Sequence, residues 1–269
     1  YDGFSGPIPL SVVGDPVEAS YGVLPMGADN RIDDELTEFL PAKGADSADV
    51  AAVPVEGTRA GDGVLRIGTL LPVTGSLAFL GPPEIAGVSL AILEINEGGG
   101  VLGKPVELVE GDSGDTPEFA NATVDRLLGE TVDAVVGAAA SGISLSVIDK
   151  ITGAGIVHFS PANTSDKLTT YADKGLYFRV APPDLLQGAA IAKLVADDGA
   201  TNVAIIARND AYGTGLAEVV QSTLEAAGIT VSVVKIYEPD AGTVDAEVNE
   251  IVAAGPDAGV VIGSEASPT

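Results

Sequence analysis

The chain of 269 residues contains no cysteine and no tryptophan, and it has a single histidine. The lack of cysteine excludes disulfide bonds, thiolate metal sites and cysteine nucleophiles. Because His158 is the one histidine, the sequence offers few residues from which a catalytic triad could be formed. Nucleophile-elbow, P-loop and zinc-protease motifs are also absent from the sequence. We therefore predict a protein that is not an enzyme, with no catalytic residue, no metal ion and no cofactor.

Basic residues are scarce. The sequence has 13 Lys and Arg against 39 Asp and Glu, which gives a formal net charge of −26. Such a surface repels phosphate backbones and anionic membranes, so we predict that nucleic acid is not a partner. No apolar run reaches the roughly 18 residues that a transmembrane helix needs. The chain opens at Tyr1 without a signal peptide, so we expect either a removed leader or an internal piece of a longer protein.

Aromatic residues make up 4% of the chain and hydrophobic residues 46%. The core must therefore consist mainly of Val, Ile, Leu and Ala. From residue 64 onward, short apolar segments alternate with segments of helical periodicity. This order predicts βαβ units and parallel sheets covered on both faces. Strands are predicted at 64–71, 104–110, 132–136, 156–159, 176–180, 202–207, 230–237 and 258–262. Helices are predicted at 83–97, 116–129, 143–152, 185–198, 213–227 and 244–254.

The alternation is interrupted once. Between Phe159 and Leu185 lies a long stretch with a polar loop, a short strand and Pro182-Pro183. It predicts a crossing from one α/β lobe to another, with a ligand cleft between the lobes. We predict a first lobe over 64–181 and a partial second lobe over 182–269. Residues 42–63, rich in Ala, Gly and Asp, are predicted to be a linker, and residues 1–41 a small appendage containing strands.

Candidate site residues follow the strands of these lobes. In open parallel sheets, ligands bind beyond the carboxyl ends of the strands, where helix N-termini present N–H groups. Ser141 and Thr164 lie in such loops of the first lobe, and Tyr212 opens a helix of the second. Each has a simpler explanation: Ser141 as a helix cap, Thr164 as an ST-turn, and Tyr212 as a packing aromatic. For His158 a structural role is favoured.

From Leu65 onward the sequence resembles the leucine/isoleucine/valine-type substrate-binding proteins of ABC transporters. The resemblance covers about three quarters of the chain, and it rests on the combination of segments rather than on any one. It implies two Rossmann-like lobes joined by a hinge, the type I periplasmic-binding-protein fold, with the second lobe incomplete. The matching segments are IGTLLPVTGSLAFLGPP, AGVSLAILEINEGGGVLGKPVELVEGDSGDT, VDAVVGAAASGISLSVIDKITGAGI, FSPANTSDKLTT, LYFRVAPPDLLQGAAIA, VAIIARNDAYGTGLAEVV and GPDAGVVIG.

The resemblance also implies ligand-binding residues. In the family, residues at the positions of Ser141, Ala162 and Thr164 hold the α-carboxylate and amine of the ligand, and the tyrosine at Tyr212 contacts it from the second lobe. Leu80 falls on a contact position that is usually aromatic, which is a departure from the family. A later acidic residue, which holds the ammonium group in the family, would lie after Thr269.

Residues 1–26, YDGFSGPIPLSVVGDPVEASYGVLPM, resemble the extreme C-terminal segment of the same family. Three explanations fit this order: a window from a tandem array, a circular permutation with a deletion, or a partial chain with fresh numbering. The first and third are favoured, because a permutation would still leave the second lobe incomplete. A tandem copy of the same domain is therefore a candidate partner.

Four functions are considered. The favoured one is an extracellular or periplasmic receptor, lipid-anchored in the parent protein, that captures an amino acid or amide and passes it to ABC-transporter membrane subunits. A structural surface-assembly protein, in which a terminal strand passes between copies, is the alternative from another class. A sensory ligand-binding domain is the third, and an enzyme is the least favoured.

Overall fold

The computed structural model describes residues 2–3, 6–7, 15–16, 18–25, 38–43 and 61–264. The chain divides into two compact units. Unit A comprises Leu10–Asp15 and Ser47–Ala181, and unit B comprises Tyr1–Pro9, Pro16–Asp46 and Pro182–Thr269. Most of the predicted linker, residues 44–60, lies outside the described residues. The domain boundaries predicted from the sequence stay predictions.

Unit A is built on a five-stranded parallel sheet with the order β6-β5-β7-β8-β9. Its strands are β5 (Arg66–Leu70), β6 (Glu107–Val109), β7 (Ala134–Gly137), β8 (Val157–Ser160) and β9 (Tyr177–Arg179), and its helices are α1 (Gly81–Glu97), α2 (Pro117–Gly129) and α3 (Ser141–Gly153). A 3₁₀ turn, Asp166–Leu168, precedes β9.

The core of unit A joins the sheet to α2 and α3. Val124 and Leu127 of α2 and Val147 of α3 are fully buried against strand residues such as Val135. Burial of one such side chain contributes about 1.5–3 kcal/mol to the free energy of folding. At the start of α2, Thr116 is the N-cap, and its side chain accepts a hydrogen bond from the N–H of Phe119.

Helix α1 differs from its neighbours, because Gly81 is its one buried residue. Leu90 and Leu93 on this helix are each more than half exposed. The apolar periodicity of this segment therefore predicts the helix correctly but overstates its burial.

Unit B contains a three-stranded parallel sheet with the order β11-β10-β12. Its strands are β10 (Asn202–Arg208), β11 (Thr230–Tyr237) and β12 (Ala258–Ile262), and its helices are α4 (Asp184–Asp197), α5 (Ala211–Ala226) and α6 (Asp245–Ala254). The core packs Leu216, Val220 and Leu224 of α5 against Val203 and Ile205 of β10.

The N-terminal residues add two antiparallel strand pairs to unit B. One joins β1 (Asp2–Gly3) to β2 (Gly6–Pro7), and the other joins β3 (Glu18–Val23) to β4 (Glu38–Lys43). Strands β3 and β4 lie against α4. Every strand and helix predicted from residue 64 onward is present in the predicted order, with ends that differ by at most three residues. The alternation of apolar strands with amphipathic helices is thus confirmed.

Within the described residues, we find no helix with both the length and the apolar character that a membrane span requires.

Candidate functional site

Three loops of unit A leave neighbouring strands at the carboxyl edge of the sheet. They are residues 72–76 after β5, residues 138–140 after β7, and residues 161–165 after β8. Because β7 lies between β5 and β8 in the sheet, the loops share one edge. Helix α3 begins directly after the second loop, and its first N–H groups have no partner within the helix. Such an edge is the usual ligand position in open parallel sheets.

The loop after β5 is held by two aspartates. Asp112 accepts hydrogen bonds from the N–H of Val73 (3.0 Å), the N–H of Thr74 (3.2 Å) and the Thr74 hydroxyl (2.6 Å). Asp115 accepts from the N–H of Ser76 at 2.8 Å. Partial burial raises the pKa of Asp112, but the hydrogen bonds from Thr74 and its neighbours outweigh it and lower the pKa below its ordinary value. These carboxylates therefore hold the turn that follows β5.

Ser141 links the second loop to the third. Its hydroxyl oxygen accepts hydrogen bonds from the N–H of Thr164 at 3.3 Å and from the N–H of Ser165 at 3.4 Å. The N-cap of α3 is Ala140, which makes no side-chain capping bond, and Ser141 is the first helical residue. The interpretation of Ser141 as a helix cap is therefore wrong. The structure brings Ser141 and Thr164 together, and both belong to the set of site residues predicted from the sequence.

The loop after β8 is fixed by Ser160. Its hydroxyl accepts hydrogen bonds from the N–H groups of Ala162 (3.2 Å) and Asn163 (3.0 Å) and donates one to the carbonyl of Ala138 (2.7 Å). The sequence placed Ser160 in the loop but assigned it no role. The sequence feature that could have indicated a role for Ser160 is the Ser-Pro pair that directly follows an apolar strand.

Asn163 and Arg179 are also missing from the set of site residues predicted from the sequence. The side-chain amide of Asn163 donates to the carbonyl of Ala139 at 2.8 Å and accepts from the Tyr177 hydroxyl at 3.0 Å. Arg179 is fully buried and donates to the carbonyl of Ser165 at 2.9 Å. An arginine inside an apolar strand is the one local signal that could have indicated such a role.

The three loops carry no charged side chain. Arg179, the arginine that contacts the third loop, is 0% exposed and forms an ion pair with Asp15. It therefore holds the loop from within the protein and is not accessible to a ligand. A carboxylate at this edge would be bound by hydroxyls, loop amides and the N-terminus of α3, without a cation.

The close approach of the loops depends on Gly137, the last residue of β7. Its φ of 124° lies in the region that favours glycine, and a Cβ atom here would overlap the carbonyl oxygen of Leu70. Leu80 lies at the N-cap of α1, on the loop that follows β5, and is partly buried. Leu80, Ser141, Ala162 and Thr164 thus all lie in unit A.

Tyr212 lies in unit B as the second residue of α5. The helix is capped by Asp210, whose carboxylate accepts from the N–H of Gly213 at 2.7 Å. Tyr212 is partly buried and packs against the core of unit B. It therefore has the packing role that the sequence analysis offered as its simpler explanation. Burial raises the pKa of the Tyr212 hydroxyl, and the charge of Asp184 raises it further, against a hydrogen bond with Gln187 that lowers it.

His158 is fully buried on β8. Its ring meets that of Tyr177 edge-on, with 5.2 Å between the ring centroids. Burial lowers the pKa of His158 to about 4, against a smaller opposing effect of the Gly137 backbone. The residue is therefore a neutral part of the sheet interior, in keeping with the structural role that the sequence favours.

Comparisons with known proteins agree with this architecture. A family model described as periplasmic binding protein matches residues 64–268. The Leu/Ile/Val-binding protein BraC3 of Rhizobium johnstonii is 33% identical over 169 residues, which are 62% of this chain and 45% of that protein. The leucine-, isoleucine-, valine-, threonine- and alanine-binding protein of Pseudomonas aeruginosa is 32% identical over 170 residues, 63% of this chain and 45% of that protein. The chain spans about half the length of the curated relatives it matches.

Solved structures show the same fold. The branched-chain amino acid transporter substrate binding protein LivJ of Streptococcus pneumoniae, in complex with isoleucine, superposes with a TM-score of 0.66 at 30% identity, covering 74% of this chain and 57% of that one. The leucine binding protein LivK of Thermotoga maritima gives a TM-score of 0.67 at 27% identity, with coverages of 73% and 55%. The predicted fold class is thereby confirmed, and the matched family is one of binding proteins and not an enzyme class. The chain belongs to the periplasmic binding protein family.

Proposed function

We propose that the chain is the ligand-binding part of a receptor that captures an amino acid or related amide for an ABC transporter. The observation that carries the proposal is the bond between the Ser141 hydroxyl and the N–H of Thr164. It joins two uncharged loops at the carboxyl edge of the unit A sheet, beside the N-terminus of α3. The names of the relatives, which are Leu/Ile/Val-binding proteins, support an aliphatic amino acid as ligand.

Each predicted residue has a role in this proposal. The hydroxyls of Ser141 and Thr164 bind the ligand carboxylate. The Ala162 carbonyl accepts a hydrogen bond from the ligand amine. Leu80 offers an aliphatic contact to the ligand side chain, and Tyr212 of unit B is a further proposed ligand contact.

Family membership supports a periplasmic or extracellular location. The proposed partners are the membrane subunits of an ABC transporter, and a lipid anchor in the parent protein belongs to the same proposal. We include a tandem parent in it, because residues 1–26 resemble the end of another copy. The intact mass of the native polypeptide tests that part: a mass far above 26.9 kDa supports it, and a mass equal to this chain removes it.

The capture function is tested by thermal unfolding of the chain with a panel of the twenty amino acids and their amides. A ligand that binds only the folded state stabilises it by about 2.7 kcal/mol at a hundredfold excess over Kd. We expect a concentration-dependent rise in Tm with at least one aliphatic amino acid. A flat response across the panel at millimolar concentrations would contradict the proposal.

A further inference from the structure

The buried guanidinium of Arg179 makes five hydrogen bonds inside unit A. Its Nε and Nη2 donate to the two carboxylate oxygens of Asp15, at 2.6 Å and 2.8 Å. Nη2 also donates to the Thr169 hydroxyl. Nη1 donates to two backbone carbonyls, that of Ser165 at 2.9 Å and, more weakly, that of Asn163 at 3.5 Å. Because a guanidinium has five N–H groups, Arg179 uses its whole donor capacity within the protein.

The two carbonyls that Nη1 contacts belong to the residues on either side of Thr164, which is a proposed ligand contact. The N–H groups of Thr164 and Ser165 donate to the Ser141 hydroxyl. The backbone around Thr164 is thus held at its carbonyls by Arg179 and at its N–H groups by Ser141. Movement of the guanidinium would release the carbonyl half of this arrangement.

Asp15 fixes the orientation of the guanidinium. A carboxylate that accepts from Nε and Nη2 in parallel holds the plane of the group, which a single contact would not. Both side chains are buried, so salt screens the pair only weakly. Arg179 ends β9, whereas Asp15 lies 164 positions earlier, in the part of unit A formed by residues 10–15. The geometry of the third loop therefore depends on a residue of the N-terminal segment.

The loop also has contacts that do not involve Arg179. The Ser160 hydroxyl accepts from the N–H groups of Ala162 and Asn163. The Asn163 side chain contacts the Ala139 carbonyl and the Tyr177 hydroxyl. These contacts remain when Asp15 is changed. We therefore expect the loss of the carboxylate to loosen the loop locally rather than to unfold it.

We propose that Asp15 is a positioning residue for the amino-acid site: through Arg179 it holds the loop that contains Ala162 and Thr164 in its binding conformation. This inference rests on the proposed function, in which these two loop residues contact the ligand. The simpler role of Asp15 is to stabilise the fold alone. The two roles differ in what they predict for the loop of the folded protein.

The test follows the exchange of backbone amide hydrogens in the full chain without ligand, by ¹H–¹⁵N NMR. The N–H groups of Thr164 and Ser165 report on the loop, and that of Val135, in the middle of the unit A sheet, reports on unfolding of the unit. In Asp15→Asn we expect exchange at Thr164 and Ser165 to become about tenfold faster, because local opening of the loop becomes easier.

Leu127→Ala is the matched control for stability. Leu127 is fully buried in the core of unit A, near the C-terminal end of α2, and its truncation leaves a cavity that destabilises the fold. Urea denaturation ranks the two variants by stability. Exchange at Val135 should become faster in both, whereas exchange at Thr164 and Ser165 should become faster only in Asp15→Asn. A role in stability alone would leave the loop amides as slow in Asp15→Asn as in Leu127→Ala.

Isothermal titration calorimetry with L-leucine measures the consequence for binding. At a temperature where every variant is folded, the Kd should rise about tenfold in Asp15→Asn, because the loop donors are no longer held in place. In Leu127→Ala the Kd should stay at the wild-type value. Unchanged exchange at Thr164 and Ser165 in Asp15→Asn overturns the inference, as does an unchanged Kd.

A second variant decides if Asp15→Asn does not fold. Thr169→Val removes another contact of the same guanidinium but leaves its charge paired. Faster exchange at Ser165 in this variant supports the inference, and unchanged exchange overturns it. If the wild-type chain binds no leucine, the proposed function fails, whereas amide exchange still decides whether Asp15 orders the loop. The two failures are thus distinguishable.

Discussion

The carboxylate of Asp15 and the guanidinium of Arg179 form a two-point ion pair away from solvent. The Arg179 Nε–Asp15 Oδ1 distance is 2.6 Å and the Arg179 Nη2–Asp15 Oδ2 distance is 2.8 Å. The Arg179 side chain is 0% exposed and the Asp15 side chain is 6% exposed. The two residues are 164 positions apart, so this contact joins the N-terminal segment to the strand that ends unit A.

We expect Asp15→Asn to lower the free energy of unfolding by about 3–5 kcal/mol, because it leaves a buried arginine without its charge partner. Urea denaturation at pH 7 measures the change. Asp197→Asn is the control, since Asp197 and Lys193 form an exposed pair on α4, for which the expected loss is below about 1 kcal/mol. Equal losses in the two variants would show that Asp15 does not anchor the segment.

His158 makes the fold sensitive to acid. Its pKa is 6.5 in the unfolded chain and about 4 in the folded one, so between these values the unfolded state binds the additional proton. Its contribution to the free energy of unfolding is therefore present above pH 6.5 and declines by about 3 kcal/mol as the pH falls to 4.

The measurement is urea unfolding at pH 7.5 and at pH 4.5 for the wild type and for His158→Leu, which cannot titrate. Carboxylates contribute to both proteins alike, so the difference between the two pH profiles isolates the histidine. A wild-type profile no steeper than that of the variant would contradict the assignment of His158 as buried and neutral.

Glu84 is expected to act in the opposite direction. It lies in the first turn of α1 with one carboxylate oxygen buried, and burial raises its pKa from 4.5 to about 7. The stability that it contributes is present below pH 4.5 and is lost as the pH rises through 7. Glu84→Gln should therefore raise the Tm at pH 8 and give no gain at pH 5. Glu94→Gln, at an exposed position of the same helix, should have little effect at either pH.

Hydrogen bonds of the Ser160 hydroxyl fix the conformation of the loop that contains Ala162 and Thr164. Ser160→Ala removes three hydrogen bonds and leaves buried backbone groups without partners, and we expect a loss of about 1–3 kcal/mol in the free energy of unfolding. The affinity for the amino acid should fall as well. Ser146→Ala is the control, because its hydroxyl bonds only to the Ile143 carbonyl of its own helix. Wild-type affinity in Ser160→Ala would show that the loop keeps its shape without this hydroxyl.

The elements of the fold follow from local sequence patterns, whereas the contacts of the site do not. The run Thr230–Tyr237 and the helix capped by Thr116 are found where the sequence predicts them, because strand and capping signals lie within a few residues. The bond between Ser141 and Thr164, and the pairing of Asp15 with Arg179, join distant positions. Which side chains come into contact depends on the order of the strands in the sheet, and the local sequence pattern does not specify that order.

The same reason explains why the sequence suggests a capping role for Ser141. A serine before an apolar helix is a good local cap. The chain instead begins the helix one residue earlier and uses the hydroxyl to hold the neighbouring loop. A prediction that weighs only adjacent residues cannot distinguish these outcomes.

The central claim is that the Ser141 and Thr164 loops bind the carboxylate of an amino acid without a cation. Isothermal titration calorimetry with L-leucine and with isopentylamine, the same molecule without its carboxylate, tests it most directly, in the wild-type chain and in Ser141→Ala. We predict heat of binding for leucine, none for the amine, and a Kd for leucine about 10- to 100-fold higher in Ser141→Ala. Binding of the amine as tightly as leucine, or an unchanged Kd in Ser141→Ala, would contradict the account.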